Sequence, residues 1–388
     1  MSPHARDALG GRAAIAGIGA TEFSKDSGRS ELTLAVEAVH AALDDAGLVP
    51  ADVDGLVTFT MDTSPEITVA QAAGIGELSF FSRIHYGGGA ACATVQQAAL
   101  AVATGIAEVV VCYRAFNERS GRRFGSGVQH REPSAEGAAL GWQLPFGLLT
   151  PASWVAMVAQ RYLHVYGLTP DAFGHVAVTD RRHAATNPAA YFYGRPITLA
   201  DHAASRWIAE PLRLLDCCQE TDGGQAIVVT SVERARDLRR PPAVITAAAQ
   251  GAGRGQEAMT SFYRDGLTGL PETGVVARQL WRTSGLAPGD IDVGILYDHF
   301  TPFVLMQLEE FGFCAPGEAA DFVAADALPL NTHGGQLGEA YLHGMNGIAE
   351  AVRQVRGTSV NQVPGAARVL VTAGTGVPTS GLILGADG

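Results

Sequence analysis

The same run of polar and apolar positions occurs twice along the chain. Gly47-Leu48-Val49-Pro50-Ala51-Asp52-Val53-Asp54 returns as Gly285-Leu286-Ala287-Pro288-Gly289-Asp290-Ile291-Asp292, with Gly, Leu, Pro and both Asp in register. Ahead of each copy, apolar residues recur at helical spacing, from Leu32 to Asp45 and from Val275 to Thr283. Behind each comes a short apolar run of strand character, Gly55 to Thr60 and Val293 to Tyr297. An alanine-rich strand precedes each helix, Ala13 to Gly17 and Ala243 to Ala248. Later in each half a helix leads to a buried strand, Glu108 to Cys112 and Arg368 to Thr372. The pattern predicts an α/β protein of two β-α-β-α-β halves, residues 1–240 and 241–388.

Only the first half carries extra material, about residues 117–209, with a helical pattern around Ser153 to Tyr166. An insertion on one repeat forms a loop domain over one face, where a ligand is covered. Its opening stretch, Glu118 to Glu136, mixes Gly, Ser, Pro and charge and reads as mobile.

Composition narrows the function classes. With 47% apolar and 17% charged residues the chain is globular. No apolar run reaches the length of a membrane span, and the start lacks a signal peptide's apolar stretch, so the reading is cytoplasmic. The balance of 27 basic and 39 acidic residues, a net of −12, argues against nucleic acid as a general partner. Five cysteines, including the adjacent Cys217 and Cys218, form neither a disulfide framework nor a CxxC metal pattern. Lys25 is the only lysine, which restricts imine chemistry to one position.

At RYLHVYGLTPDAFGHVAVTDRRHAATNP and PLRLLDCCQETDGGQAIVVTS the chain resembles the sterol-carrier-protein-type branch of the thiolase superfamily, and the similarity runs from about Ala13 to Leu384. The resemblance implies a five-layer α-β-α-β-α thiolase fold with a loop-domain insertion in the first repeat. It also implies a dimer, an active site between the halves, and entry of CoA through a tunnel partly covered by the insertion. A thiolase takes the acyl group on a cysteine at a helix N-terminus and moves protons with histidines and a second cysteine.

Those positions are altered here. The family's spacing back from Gly105-Ile106-Ala107-Glu108 places the nucleophile at Gly88, within Tyr86-Gly87-Gly88-Gly89. Cys92 falls about a helical turn further in, where it reads as a packing thiol, with a displaced nucleophile as the alternative. The His-Asp-Cys-Phe or Asn-Glu-Ala-Phe segment corresponds to Tyr297-Asp298-His299-Phe300. The segment that ends in the catalytic histidine corresponds to Asn331-Thr332-His333-Gly334-Gly335 through Gly338-Glu339-Ala340-Tyr341, so Tyr341 stands at the histidine. The C-terminal Cys-x-Gly turn reads Thr372-Ala373-Gly374-Thr375-Gly376, with Ala373 in place of the cysteine.

A site without a nucleophile but with two phenols suits a reaction that needs proton transfer and an enolate, yet no acyl-enzyme. Retro-aldol cleavage of a β-hydroxyacyl-CoA is such a reaction: a base takes the hydroxyl proton, Cα–Cβ breaks, and the thioester enolate is reprotonated. Lys25 lies in an apparent loop, and the His and Asp positions have no metal-ligand spacing, so neither an imine nor a metal is expected, and no cofactor beyond the CoA of the substrate. Tyr341 and Tyr297 are the expected acid/base pair, supported by His299, Asp298 and His343. A phenol that acts as a base needs its pKa lowered by a charge, or a place in a proton relay. Gly88, Gly334, Gly335, Gly374 and Gly376 are the expected substrate-binding glycines, either through inward-pointing amides or as tight turns only.

YDHFTPF and GEAYLHGMNG are most similar to segments of the actinobacterial steroid side-chain-cleaving aldolases. That resemblance implies release of propionyl-CoA from a 17-hydroxylated steroid C20-carboxyl-CoA, leaving a 17-ketone. It also implies an OB-fold, zinc-ribbon partner domain of the associated hydratase, which would make the homodimer a heterotetramer. The alternatives are a thiolase that uses Cys92 and a non-catalytic thiolase-like lipid-binding subunit.

Overall fold

Both copies of the repeat fold alike, because the shared Gly, Pro and Asp residues make the same local turns and hydrogen bonds. Gly47 and Gly285 end their helices with φ of 78° and 75°, a conformation that favours glycine. Pro50–Asp52 and Pro288–Asp290 then form single 3-10 turns, closed by Asp52 accepting from Val49 N at 2.8 Å and by Asp290 accepting from Ala287 N at 2.9 Å. The second aspartates reach across to a neighbouring strand. Asp54 accepts from the amides of Glu108 and Val109, and Asp292 from those of Ala367 and Arg368, all within 3.0 Å.

The computed structural model describes residues 9–121, 123, 137, 141–257, 260–375 and 379–387. Its strands are β1 (Ala13–Ala20), β2 (Gly55–Phe59), β3 (Phe80–Ile84), β4 (Val109–Asn117), β5 (Trp207–Ala209), β6 (Leu212–Arg213), β7 (Asp222–Ser231), β8 (Ala243–Gly251), β9 (Val293–Ile295), β10 (Arg368–Ala373) and β11 (Thr379–Ala386). β5 and β6 pair with each other, and the rest run in the order β3-β2-β4-β7-β1-β8-β11-β10-β9. Reading outward from the β1/β8 contact, β7-β4-β2-β3 on one side matches β11-β10-β9 on the other. Leu330 bridges to Gly294 where a further strand of the second half would lie.

Three apolar cores separate five layers. The helix Glu31–Ala46 packs on one face of the first-half strands, so closely that a Cβ at Gly19 would lie 2.1 Å from Ala42 N. The helices Ala91–Ala103 and Met345–Arg356 lie in the middle, against strands of both halves. The helices Pro271–Ser284 and Thr301–Glu310 cover the outer face of the second half. Strands buried on both faces divide their residues by parity: Val109, Val111 and Tyr113 of β4 face the outer core, and Val110 and Cys112 the central one.

The insertion interrupts the first half in sequence but packs on the second. Tyr162 of the helix Pro151–Tyr166 and Phe173 and Val176 of the helix Asp171–Thr186 share a core with Phe303, Leu308 and Phe311. Within the stretch 118–136, only residues 118–121 and 123 are described. Several element ends differ from the sequence reading: β1 runs on to Ala20, β4 to Asn117 and β8 to Gly251. The helix expected over Val275–Thr283 begins at Pro271, whose fixed φ suits the first helical position. The strand expected to run to Tyr297 ends at Ile295, because Tyr297 N donates to Thr372 Oγ1 at 2.9 Å. No helix of the described residues is long and apolar enough to cross a membrane.

Candidate active site

The turn before the helix Ala91–Ala103 is built from Gly87, Gly88 and Gly89 and closed by Ala90 N donating to Gly87 O at 2.9 Å. Gly374, with φ of 59°, lies against it: a Cβ there would sit 2.2 Å from Gly89 N. The turn of the first half and the turn of the second thus meet backbone to backbone, which only glycine permits. Gly376 lies outside the described residues.

Tyr297 and Tyr341 meet at this turn. Their hydroxyls are 3.5 Å apart, within an apolar cluster of Phe116 and Leu342 edged by Phe23 and Cys218. Tyr297 is held at both backbone polar groups, since its N–H donates to Thr372 Oγ1 and its carbonyl accepts from Gln307 Nε2 at 2.8 Å. Its ring passes over Gly344, and its hydroxyl reaches the space beside Gly88. Tyr341 is fixed by its N–H, which donates to Thr221 Oγ1 at 2.9 Å. The sequence reading left two routes for a phenol to act, a pKa lowered by a charge or a place in a proton relay, and the structure goes against the first. Burial raises both phenols well above their ordinary value, and each partner's shift follows from desolvation first.

The supporting histidines are neutral for the same reason. His299 packs against Tyr297, Phe300 and Phe303, its Nδ1 has no hydrogen-bond partner, and burial holds it down at about 3. His343 stacks on Phe116 at 5.2 Å and meets Tyr341 edge-on at 5.1 Å, and burial holds it well below its ordinary value. Neither supplies a positive charge.

Asp298 points away from the tyrosine pair. Its oxygens accept from Gln336 N at 2.9 Å and Leu337 N at 3.0 Å, and it faces Asp180 of the insertion, whose carboxyl burial and the mutual repulsion push well above its ordinary value. Gly335 (φ 65°) admits this arrangement, since a Cβ would lie 2.0 Å from Asp298 Oδ2. Gly334 (φ 107°) lies against Ala184. Asp298 and these two glycines therefore join the insertion to the second half.

Cys92 is the second residue of the helix Ala91–Ala103, in its first turn and not in the helix interior, yet it is fully buried, with its thiol 3.8 Å from Val371 O and pushed up by burial. A thiol held neutral there is no nucleophile. Lys25 donates to Glu220 O and lies 4.4 Å from the Tyr191 ring centroid. Among the described residues no group of three His, Cys, Asp or Glu side chains is arranged to hold a metal.

Sequence reasoning missed Arg114, Asp62, Cys218 and Phe116. Arg114 had a signal, a guanidinium in the otherwise apolar β4 run VVVCYRAFN. The others look like ordinary core or loop residues until the chain brings them to the site. Backbone strain marks the same place: of the four non-glycine residues with positive φ among those described, three, Tyr86 (152°), Asn331 (45°) and His343 (52°), flank the tyrosine segments or the glycine turn.

The family model described as "Thiolase C-terminal domain-like" matches residues 253–385. A steroid side-chain-cleaving aldolase of Thermomonospora curvata is 71% identical over 98% of this chain and 99% of its own length. A 17-hydroxy-3-oxo-4-pregnene-20-carboxyl-CoA lyase of Mycobacterium tuberculosis is 68% identical over 97% of this chain and all of its own. The solved "Ltp2-ChsH2(DUF35) aldolase" superposes with a TM-score of 0.94 at 70% identity, covering 98% of this chain and 99% of that one. A monomeric SCP2-thiolase-like protein of Mycobacterium smegmatis shares the fold, with a TM-score of 0.74 at 21% identity over 97% and 77% of the two chains.

Proposed function

The chain belongs to the steroid side-chain-cleaving aldolases of the thiolase superfamily, carbon–carbon lyases, and on that footing we propose that it cleaves a 17-hydroxy steroid C20-carboxyl-CoA to a 17-ketosteroid and propionyl-CoA. The observation that carries this reading is the meeting of two phenols at the place of the missing nucleophile.

The C17 hydroxyl proton leaves, the C17–C20 bond breaks to form the ketone, and its electron pair passes to C20 and the thioester as an enolate. A proton adds to C20 as that electron pair develops there. One proton moves from oxygen to carbon, so no oxidant, water or cofactor is consumed, and CoA enters only as part of the substrate. Because burial disfavours a free phenolate, the paired tyrosines act as a relay. One accepts the hydroxyl proton while the pair delivers another to C20, and no charge needs to build on either phenol. Their 3.5 Å separation is long for an O–H···O bond, and the relay requires it to shorten in the reacting complex. The enolate oxygen lies at the Gly87–Gly89 turn, where backbone amides and the positive end of the helix Ala91–Ala103 favour negative charge.

We further propose that the chain works as a homodimer joined to an OB-fold, zinc-ribbon partner domain, a heterotetramer in the cytoplasm. The name "Ltp2-ChsH2(DUF35) aldolase" supports a two-component enzyme. Phe81, 58% exposed on the edge strand β3, suits a subunit contact, and Trp142 and Phe146 of the insertion offer a second apolar surface. The five cysteines, all free, fit a reducing compartment.

The test is turnover: the chain, alone and co-expressed with such a partner, is given the 17-hydroxy steroid CoA ester, and ketone and propionyl-CoA are quantified. Equal release of both supports the reading. Failure with the partner bound, or thiolysis of a 3-ketoacyl-CoA instead, removes it.

A further inference from the structure

Arg114 is a charge where the alternation of β4 calls for an apolar residue. It is 1% exposed, and its guanidinium is held on three sides. Nη1 donates to Asp62 Oδ1, Nε donates to Nδ1 of His343 at 3.1 Å, and the plane lies 4.0 Å from the ring centroid of Phe116. A guanidinium has donors only, so Nδ1 of His343 must accept. A neutral imidazole that accepts at Nδ1 carries its hydrogen on Nε2.

The remaining contacts agree with a neutral ring. Burial, the Arg114 charge and the neighbouring His299 all hold His343 below its ordinary value. Its backbone has φ of 52° and is followed by Gly344 at 87°. The edge that bears Nε2 faces that turn: a Cβ on Gly87 would lie 3.2 Å from His343 Cε1 and 3.3 Å from Nε2. The hydrogen-bearing edge is therefore directed at the place proposed for the thioester.

We propose that Arg114 is a positioning residue that fixes His343 as the neutral Nε2–H tautomer, and that His343 donates this hydrogen to the thioester oxygen as the enolate forms. The inference rests on the retro-aldol reading of the site. A neutral imidazole suits the task, because it strengthens its hydrogen bond as charge grows on the oxygen without a buried imidazolium having to be maintained. Arginine suits the other end, because its rigid fork spans Asp62 and His343 together, which an ammonium does not.

Two substitutions separate the ring nitrogens while leaving the Arg114–Asp62 pair in place. The amide of His343→Gln reaches the Nε2 position, and that of His343→Asn the Nδ1 position. With the 17-hydroxy steroid CoA ester and the partner-bound enzyme, His343→Gln is expected to keep kcat within about 10-fold, and His343→Asn to lose about 10²-fold or more with KM nearly unchanged. In histidine-labelled protein, imidazole nitrogen resonances assigned by their loss in His343→Gln should show the neutral Nε2–H form from about pH 5 to about pH 8. Arg114→Lys should give mixed tautomers and a lower kcat. A parent His343 that is protonated or carries its hydrogen on Nδ1 overturns the inference. So does equal activity of His343→Gln and His343→Asn, whether both work or both fail. The resonance measurement needs no turnover, so an enzyme that fails on the steroid removes the proposed function and leaves the tautomer to be judged separately.

Discussion

The hydroxyl of Tyr297 occupies the space that a side chain at Gly88 would need, with a Cβ there lying only 1.7 Å from the oxygen and 2.2 Å from the ring carbon that bears it. The missing nucleophile and the added phenol are therefore one change: either residue excludes the other's alternative. Gly88→Cys should not restore acyl transfer. Gly88→Ala alone should cost about 1–3 kcal/mol of stability and nearly all lyase activity, because the ring has to leave its site. Tyr297→Leu combined with Gly88→Ala should recover the stability but not the activity. A thermal-melt double-mutant cycle without coupling would show that the two do not compete for space.

Tyr341→Phe and Tyr297→Phe should each lower kcat by about 10²–10⁴-fold with a small effect on KM. The double variant should be little worse than either single one, as expected of groups that act as a unit. Single variants that are folded and turn over at the parental rate would remove the relay.

His299 titrates at about 3 in the folded protein and near the ordinary histidine value when unfolded. Its folded pKa is depressed, so the unfolded chain takes up the proton first as pH falls, and stability present above about pH 6.5 is lost below it. His343 acts in the same direction, while Asp180 and Asp298 oppose it, since their folded pKa values are raised. Comparison with His299→Phe isolates the one group. Denaturant titrations between about pH 7 and pH 5 should show a shallower loss in the variant, and parallel curves would contradict a buried neutral His299.

The Asp180–Asp298 contact holds a proton that must leave as pH rises, and its contribution to stability leaves with it. Asp180→Asn should flatten the alkaline side of the stability profile and leave turnover near parental. Asp298→Ala should cost about 1–3 kcal/mol for each amide it strands, those of Gln336 and Leu337. An Asp180→Asn enzyme as alkali-sensitive as the parent would speak against the shared proton.

Cys92 should form no acyl adduct. Intact-mass measurement after incubation with an acyl-CoA should show the unmodified chain, and a stable adduct mapped to Cys92 would reinstate thiolase chemistry.

The helix, glycine cap, proline turn and two aspartates of each half were legible in the sequence, because each makes a hydrogen bond or turn dictated by residues close in the chain or by the strand it precedes. The replacements at Gly88, Tyr297, Tyr341 and Ala373 were legible too, because they fall within ordered motifs whose spacing survives. The sequence by itself determined which chemical groups stand at the site. Tertiary structure decided what they do. Gly88 meets Tyr297, Arg114 grips His343, and Asp180 faces Asp298 only because the halves and the insertion close on each other. The protonation states follow from that closure: water leaves, charged forms lose their solvation, and both phenols are raised, which leaves the relay and not a lowered pKa. Residue type sets a pKa in water, whereas burial, which no local pattern specifies, sets it here.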